Sequence, residues 1–242
     1  MRIVTTLFSA SNFKRFGANI DRQNQISKTL QWGATQNAHI IVLPAGVLVA
    51  RHEGEADKIA MQVVSEAQRR NIAVIFGIDE GETKVNNKQK GKRDAKTPLN
   101  DPSLGFAWSP GMSNHSKFVQ RCIKGSDEVL EASCKEARQI SVDGKAVEIL
   151  ICGEMFHKRI REEVKKRNPH FVFDIGHISM TRASRTLQNI SNWGCATLFS
   201  QHLKLHGGTF HCFNNGQKLS GVKPDCIFND DIWIELHLWN IG

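Results

Sequence analysis

The chain has 242 residues, 40% of them hydrophobic and 23% charged, and 32 Lys and Arg against 24 Asp and Glu give it a net charge of +8. This length and composition favour one well-buried domain over two small ones. No run approaches the ~20 apolar residues of a membrane-spanning helix, and the first residues enter a strand-like run rather than a signal peptide. Six widely spaced cysteines without a Cys-x-x-Cys pair are typical of reduced thiols. We therefore expect a cytoplasmic protein without membrane contact.

Apolar periodicity alternates between helix and strand along most of the chain, which predicts an α/β fold. The strand-like run Met1–Phe8 is followed by residues 20, 26, 30 and 34, which can share one helix face, and then by a buried strand at Ile40–Leu43. Apolar residues at steps of three and four from Ala56 to Ala67 predict a second helix, which leads into a strand at Ile72–Gly77.

A basic segment at residues 82–100 carries much of the excess positive charge among turn-forming residues, and it is predicted to be a mobile surface loop. Its cations are Lys84, Lys88, Lys90, Lys92, Arg93 and Lys96. Nucleic-acid binding is not favoured, because no aromatic residues for base stacking are interleaved with these charges. The alternative, a nucleic-acid contact, would bind with a steep salt dependence.

Strands and helices continue to alternate in the second half of the chain. The predicted elements are a strand pair at Leu104–Trp108 and Lys117–Ile123, a buried strand at Val147–Cys152, a helix at Met155–Arg167, a strand at His170–Ile175, a helix holding Leu187, Ile190 and Trp193, a strand at Cys195–Phe199 and a final strand at Ile232–Trp239.

Two segments carry a family resemblance: His39-Ile40-Ile41-Val42-Leu43-Pro44-Ala45-Gly46 and Glu148-Ile149-Leu150-Ile151-Cys152-Gly153-Glu154. With Phe118-x-x-x-x-Ile123 between them, they resemble the catalytic segments of the nitrilase, or carbon-nitrogen hydrolase, superfamily. The resemblance extends over residues 1–242 as a single domain. It implies a four-layer α-β-β-α sandwich, a homodimer and no cofactor.

In that family a cysteine attacks an amide or nitrile carbon, a glutamate moves the proton and a lysine stabilises the developing charge. By resemblance, Cys152 matches the nucleophile, and the N–H of Gly153 is a candidate oxyanion donor. Ala45 stands at the glutamate position, Gln120 falls on the lysine position, and Glu128 lies near the site of an auxiliary glutamate. The Glu-Lys-Cys triad is therefore predicted to be degenerate.

Neighbouring charged residues could in principle replace the missing glutamate and lysine, but we do not favour this alternative. Lys117 and Lys124 flank Gln120, and Glu53 or Glu55 would have to fold back over the strand end. Using Lys117 requires a three-residue slip, and an odd slip turns the side chains of a strand to the opposite face. Without the family resemblance, the cysteine at the strand end would be read as a small buried hydrophobe.

Further pocket candidates are Glu154, which closes the cysteine segment, and His177 and Met180, which follow the strand at His170–Ile175. An ordinary connecting loop is the alternative for the last two. A metal site is not predicted, because Gly207-Gly208 interrupts any helix that would pair His202 with His206.

Two functions follow from these observations. The first is hydrolysis of a non-peptide C–N bond in a small amide or nitrile through a Cys152 thioester. The second is a catalytically inactive relative that binds a small amide-like ligand or a protein partner through the old pocket. The sequence leaves open whether Ala45 is natural or engineered.

Overall fold

The computed structural model describes residues 1–9, 19–81, 103–178, 181–202, 210–219, 223–229 and 232–242. The predicted basic loop at 82–100 and the pocket candidate Met180 lie outside these ranges. The helices are α1 (Asn19–Thr35), α2 (Glu53–Arg70), α3 (Glu131–Lys135), α4 (Lys158–Lys166) and α5 (Thr181–Ser191), with a 3-10 helix at Cys152–Phe156. The strands are β1 (Arg2–Ser9), β2 (Ile40–Val42), β3 (Leu48–Ala50), β4 (Ala73–Glu80), β5 (Ser103–Trp108), β6 (Ser116–Val119), β7 (Gln139–Val142), β8 (Lys145–Ile151), β9 (Phe171–Ile178), β10 (Ala196–His202), β11 (His211–Asn214), β12 (Gln217–Lys218), β13 (Cys226–Asn229) and β14 (Trp233–Asn240).

Helix α2 forms where the apolar spacing predicts it, and both of its ends are capped. At its start, the ring nitrogen Nδ1 of His52 accepts a hydrogen bond from the N–H of Glu55 at 3.2 Å. At its end, Asn71 adopts a left-handed conformation and its N–H returns to the last turn. The prediction is confirmed, because one face of the helix is buried: Ala56, Ile59, Ala60, Val63, Val64 and Ala67.

The described strands form one sheet, whose main path runs β6-β5-β4-β2-β1-β10-β9-β8-β7. From β4 to β8 this path is parallel. Carboxyl ends of parallel strands meet at the same edge of a sheet, which is where α/β proteins place their sites. Strand β1 joins the two halves, because it pairs with β2 near its start and with β10 at Leu7 and Phe8.

Three separate apolar clusters show that the sheet curls into two facing layers. The first lies between α1, α2 and the β1–β5 half, and it includes Leu30, Val63 and Phe76. The second lies between the two halves of the sheet, where residues such as Ile75 face residues such as Phe173. The third lies between the β8–β10 half and helices α4 and α5. These clusters confirm the predicted four-layer α-β-β-α sandwich.

Strand β6 is shorter than predicted, because it ends at Val119 rather than Ile123. Beyond Gln120, whose N–H still donates to Ser103 of β5, main-chain donors turn to carboxylates. The N–H of Arg121 donates to Glu154 at 2.6 Å, and the N–H of Ile123 donates to Asp127 at 2.9 Å. The predicted hairpin with β5 is confirmed by antiparallel pairing from Leu104↔Val119 onward. Among the described helices, none combines the length and apolarity needed to cross a membrane.

Candidate active site

Cys152 follows the carboxyl end of β8 and opens the 3-10 helix. Its φ of +53° lies in the left-handed region, which costs a residue with a side chain roughly 1–3 kcal/mol and persists where the surroundings impose it. The surroundings are tight here: a Cβ added at Gly153 would overlap the carbonyl oxygen of Ile123. The turn therefore presents Cys152 in a fixed orientation, and its side chain is only partly buried.

Asp79 and His177 reach the same region from the ends of β4 and β9. Because side chains alternate along a strand, Asp79 shares a face with Ile75, and His177 shares a face with Ile175. Both faces point into the space between the two sheet halves. The ring nitrogen Nε2 of His177 lies 2.8 Å from Oδ1 and 2.9 Å from Oδ2 of Asp79.

His177 also contacts the cysteine. The hydrogen bonding and charge of His177 lower the pKa of the Cys152 thiol. The described residues therefore bring together a thiol, an imidazole and a carboxylate, the three kinds of group that serve as nucleophile, base and orienting group in covalent catalysis.

The charges of these groups support one another. Burial alone would raise the pKa of the Cys152 thiol, but the hydrogen bonds and charge of His177 outweigh burial and lower it. Burial would lower the pKa of His177, but the charge and hydrogen bond of Asp79, with the contribution of Cys152, hold it well above its ordinary value. Both shifts favour the charged forms, a thiolate at Cys152 and an imidazolium at His177.

Small residues make room for the Asp79–His177 pair. Gly46 has a φ of +62°, and a Cβ added there would overlap Asp79 Oδ2 and lie 2.8 Å from His177 Nε2. Ala45 is fully buried, and a Cβ added at the facing Gly77 would lie 2.5 Å from the Ala45 Cα. The predicted glutamate position is thus filled by a small residue, while a carboxylate reaches the site from a neighbouring strand.

Gln120, at the predicted lysine position, is buried beside the cysteine turn. Its Nε2 donates a hydrogen bond to the carbonyl oxygen of Cys122 at 2.9 Å. Cys122 in turn packs against Gly153, since a Cβ on that glycine would lie 3.1 Å from the Cys122 carbonyl oxygen. Gln120 therefore braces the loop that supports the turn, and its amide is occupied by main-chain bonding.

The charged residues considered as replacements for the missing glutamate and lysine are directed elsewhere. Lys117 Nζ lies 2.6 Å from Glu53 Oε1 and 3.0 Å from Asp57 Oδ1, against helix α2. The carboxylate of Glu55 accepts a hydrogen bond from the N–H of Arg51 at 2.6 Å. Lys124 is exposed to solvent. The alternation of side chains along β6 thus directs Lys117 to the helical layer, as the argument against a three-residue slip anticipated.

Glu154 stabilises the cysteine turn through hydrogen bonds of its carboxylate. Its fully buried carboxylate accepts bonds from the N–H of Ile151 at 3.2 Å, from Arg138 at 3.0 Å and from the side chain of Arg121 at 3.0 Å. Burial would raise the pKa of Glu154, but the charges of Arg138 and Arg121 lower it. Because Ile151 immediately precedes Cys152, this buried cluster ties the cysteine turn to the start of β7 and to the loop after β6.

The remaining sequence candidates are Glu128, His202 and His206. Glu128 is exposed and belongs to no helix or strand. His206 lies outside the described residues, as does the side chain of His202. Within the described ranges, no group of three or more His, Cys, Asp and Glu side chains is arranged to hold a metal ion.

Asp174 is a fully buried carboxyl on β9, on the face that packs against the helices. Neither of its oxygens has a hydrogen-bond partner among the described residues. Burial, together with the charges of Cys152 and Glu154, raises its pKa well above the ordinary value. Folding therefore favours the neutral form of this carboxyl, whereas the unfolded chain ionises it above about pH 4.

We expect Asp174→Leu to stabilise the protein by an amount that grows with pH. A raised folded-state pKa means that the parent loses stability as pH rises from the unfolded value to the folded one, at up to ~1.4 kcal/mol per pH unit. Denaturant unfolding of parent and variant between pH 4 and pH 8 measures the difference. A difference that stays constant across this range would contradict the neutral carboxyl.

Asp79 is the site residue that sequence reasoning missed. The family resemblance directs attention to position 45, whereas the carboxylate comes from the neighbouring strand β4. A signal was present: Asp79 lies near the carboxyl end of a buried strand at even spacing from Ile75, whereas its charged neighbour Glu80 falls on the other face. Its partner His177 was predicted as a pocket residue, but without a role in proton transfer.

Comparison with known proteins identifies the fold. The sequence matches no protein-family model and no curated protein. A mutant of an amidase from Nesterenkonia AN1, described as belonging to the nitrilase superfamily, matches the structure with a TM-score of 0.67 at 14% identity, over 98% of this chain and 90% of that chain. A structure of an amidase from Nesterenkonia sp. gives 0.66 at 14% identity, with the same coverage of both chains.

A third structure is a mutant of the amidase from Nesterenkonia sp. AN1 with the acetamide moiety of fluoroacetamide added covalently at its active-site cysteine. It matches with a TM-score of 0.66 at 13% identity, over 98% of this chain and 90% of that chain. The chain therefore has the nitrilase fold that its two sequence segments predict.

Proposed function

We propose that the protein is a cysteine-dependent hydrolase of small amides, in which Cys152 is the nucleophile, His177 moves the proton and Asp79 orients His177. The observation that carries this proposal is the position of His177, whose ring nitrogen Nε2 lies 2.8 Å from Asp79 and whose hydrogen bonding and charge lower the pKa of the Cys152 thiol. The proposal keeps the predicted nucleophile and replaces the missing glutamate and lysine with an imidazole–carboxylate pair.

Each step assigns the proton to a named group. The Cys152 thiolate attacks the amide carbonyl carbon, and the resulting oxyanion must be met by donors, for which the N–H of Gly153 remains the candidate. The C–N bond then breaks, and the imidazolium of His177 gives its proton to the departing amine. This leaves a thioester on Cys152 and a neutral His177.

Hydrolysis of the thioester restores the starting state. Neutral His177 takes a proton from a water molecule as that water attacks the thioester carbon. The C–S bond breaks, which releases the carboxylic acid and returns the thiolate–imidazolium pair. Asp79 stays ionised throughout and stabilises the imidazolium each time it forms.

Reactivity of the cysteines tests the proposal. Iodoacetamide alkylation between pH 5 and pH 9, resolved by peptide mass spectrometry, should label Cys152 well below the pH at which an ordinary thiol reacts. Cys226 is the internal reference, because it is also partly buried but burial raises its pKa. Fluoroacetamide is a second probe, since the amidase of similar fold is modified by it at its cysteine.

Turnover of a panel of small amides completes the test. We expect ammonia or amine release from at least one of them and its loss in Cys152→Ala. A Cys152 that reacts like Cys226, together with no turnover, would instead support the alternative of an inactive fold that binds a ligand or protein partner. The homodimer and the cytoplasmic location predicted from the sequence remain predictions, which light scattering and fractionation would test.

A further inference from the structure

Arg22 is a fully buried cation on the first turns of α1. The neighbouring charged residues of the helix, Asp21 and Lys28, point to solvent, so Arg22 carries the charge on the buried face. An arginine is rarely buried unless an opposite charge or hydrogen bonds compensate the lost hydration. A buried cation next to a candidate site therefore requires a compensating group inside the fold.

The start of α1 is anchored beside Asp79. The side-chain amide of Asn19 donates to the carbonyl oxygen of Val49 at 2.6 Å and accepts from the Val49 N–H at 3.1 Å. Val49 is paired in register with Asp79 across β3 and β4. Arg22 follows Asn19 by three residues, so both side chains lie on the same face of the helix, directed at this strand pair.

The charges agree with this geometry. Burial lowers the pKa of Arg22 to about 10, and the opposing influence is the negative charge of Asp79. Arg22 therefore stays protonated at neutral pH, and the charge that favours its protonated form belongs to the carboxylate that is bonded to His177. The charges alternate in sign from Arg22 through Asp79 and His177 to Cys152.

We propose that Arg22 is a positioning residue that keeps Asp79 ionised and oriented toward His177, and through this pair maintains the Cys152 thiolate. The inference rests on the proposed thiolate–imidazolium function. It assigns to α1 a part in the chemistry of a site whose other members come from the sheet. Arg22 touches no reacting atom in this arrangement, because it acts through Asp79.

The test compares the pH dependence of Cys152 alkylation by iodoacetamide in the full chain. In Arg22→Gln and Arg22→Met, we expect the profile to move upward by about one pH unit, which makes alkylation at pH 6 about tenfold slower. Arg22→Lys retains the charge and should stay near the parent profile. Lys117→Gln removes a cation that faces helix α2 and should leave the profile unchanged.

A double-mutant cycle separates positioning from a purely structural effect. If Arg22 acts through Asp79, then Arg22→Gln combined with Asp79→Asn should shift the profile no further than Asp79→Asn alone. Circular dichroism at each pH restricts the comparison to folded protein. A parent with a low-pH thiolate and an unshifted Arg22→Gln would overturn this inference alone. An ordinary thiol profile in the parent would overturn the proposed function and this inference together.

Discussion

Replacing His177 with glutamine is expected to lower amide turnover by about 10²–10⁴-fold, the usual contribution of a general acid–base group. Glutamine keeps much of the size and hydrogen-bonding capacity of the side chain, but it neither gains nor releases a proton near neutral pH. The variant should also lose the Cys152 thiolate at pH 6, because the imidazolium that lowers the thiol pKa is gone.

Steady-state turnover and the alkylation profile should therefore fall together. The matched control is His39→Gln, because His39 also faces an aspartate, with its Nε2 lying 3.6 Å from Asp143 Oδ2. His39 is half-exposed and precedes β2 at the opposite end from the site. Equal activity in the two variants would remove His177 from the mechanism.

Replacing Glu154 with glutamine is expected to destabilise the protein by about 3–5 kcal/mol, because it leaves Arg138 and Arg121 buried without their shared carboxylate. Glutamine keeps the shape but not the charge, so the loss reports on the ion cluster. The folded-state pKa of Glu154 is lowered. Its contribution is therefore fully present above its unfolded pKa and is lost as the pH falls through the folded value.

Denaturant unfolding at pH 7 and at successively lower pH measures both effects. Glu131→Gln is the control, because Glu131 pairs with Lys135 at 2.5 Å on an exposed helix face. An exposed pair of this kind is screened by solvent, so the unfolding midpoint should hardly change. A Glu154→Gln variant as stable as this control would show that the cluster is dispensable.

The sequence was sufficient to predict the layers of the fold and the place of Cys152 at the end of a buried strand. Spacing of apolar residues in α2 and the continuous apolar run in β8 report directly on burial, which is a local property. The two short segments around Ala45 and Cys152 then place these elements in one family of folds. Each of these inferences depends on residues close together in the chain.

The Asp79–His177 pair was beyond such reasoning for a physical reason. Asp79 and His177 come into contact only when β4 and β9 face each other across the curled sheet. No local sequence pattern predicts this contact. Glu154 illustrates the converse. Its place two residues after Cys152 made it a pocket candidate, yet its carboxylate is committed to two buried arginines that come from distant segments.

The pairing of β1 also bears on how the protein folds. Strand β1 is paired with β14 over eight residues, from Arg2↔Asn240 to Ser9↔Trp233, although these strands are far apart in sequence. Contacts of such long sequence separation form slowly, because the entropy of closing a large loop is lost before the contacts contribute any stabilising free energy. We expect one edge of β1 to remain unpaired until β14 has docked. Late refolding intermediates should therefore be prone to intermolecular strand exchange.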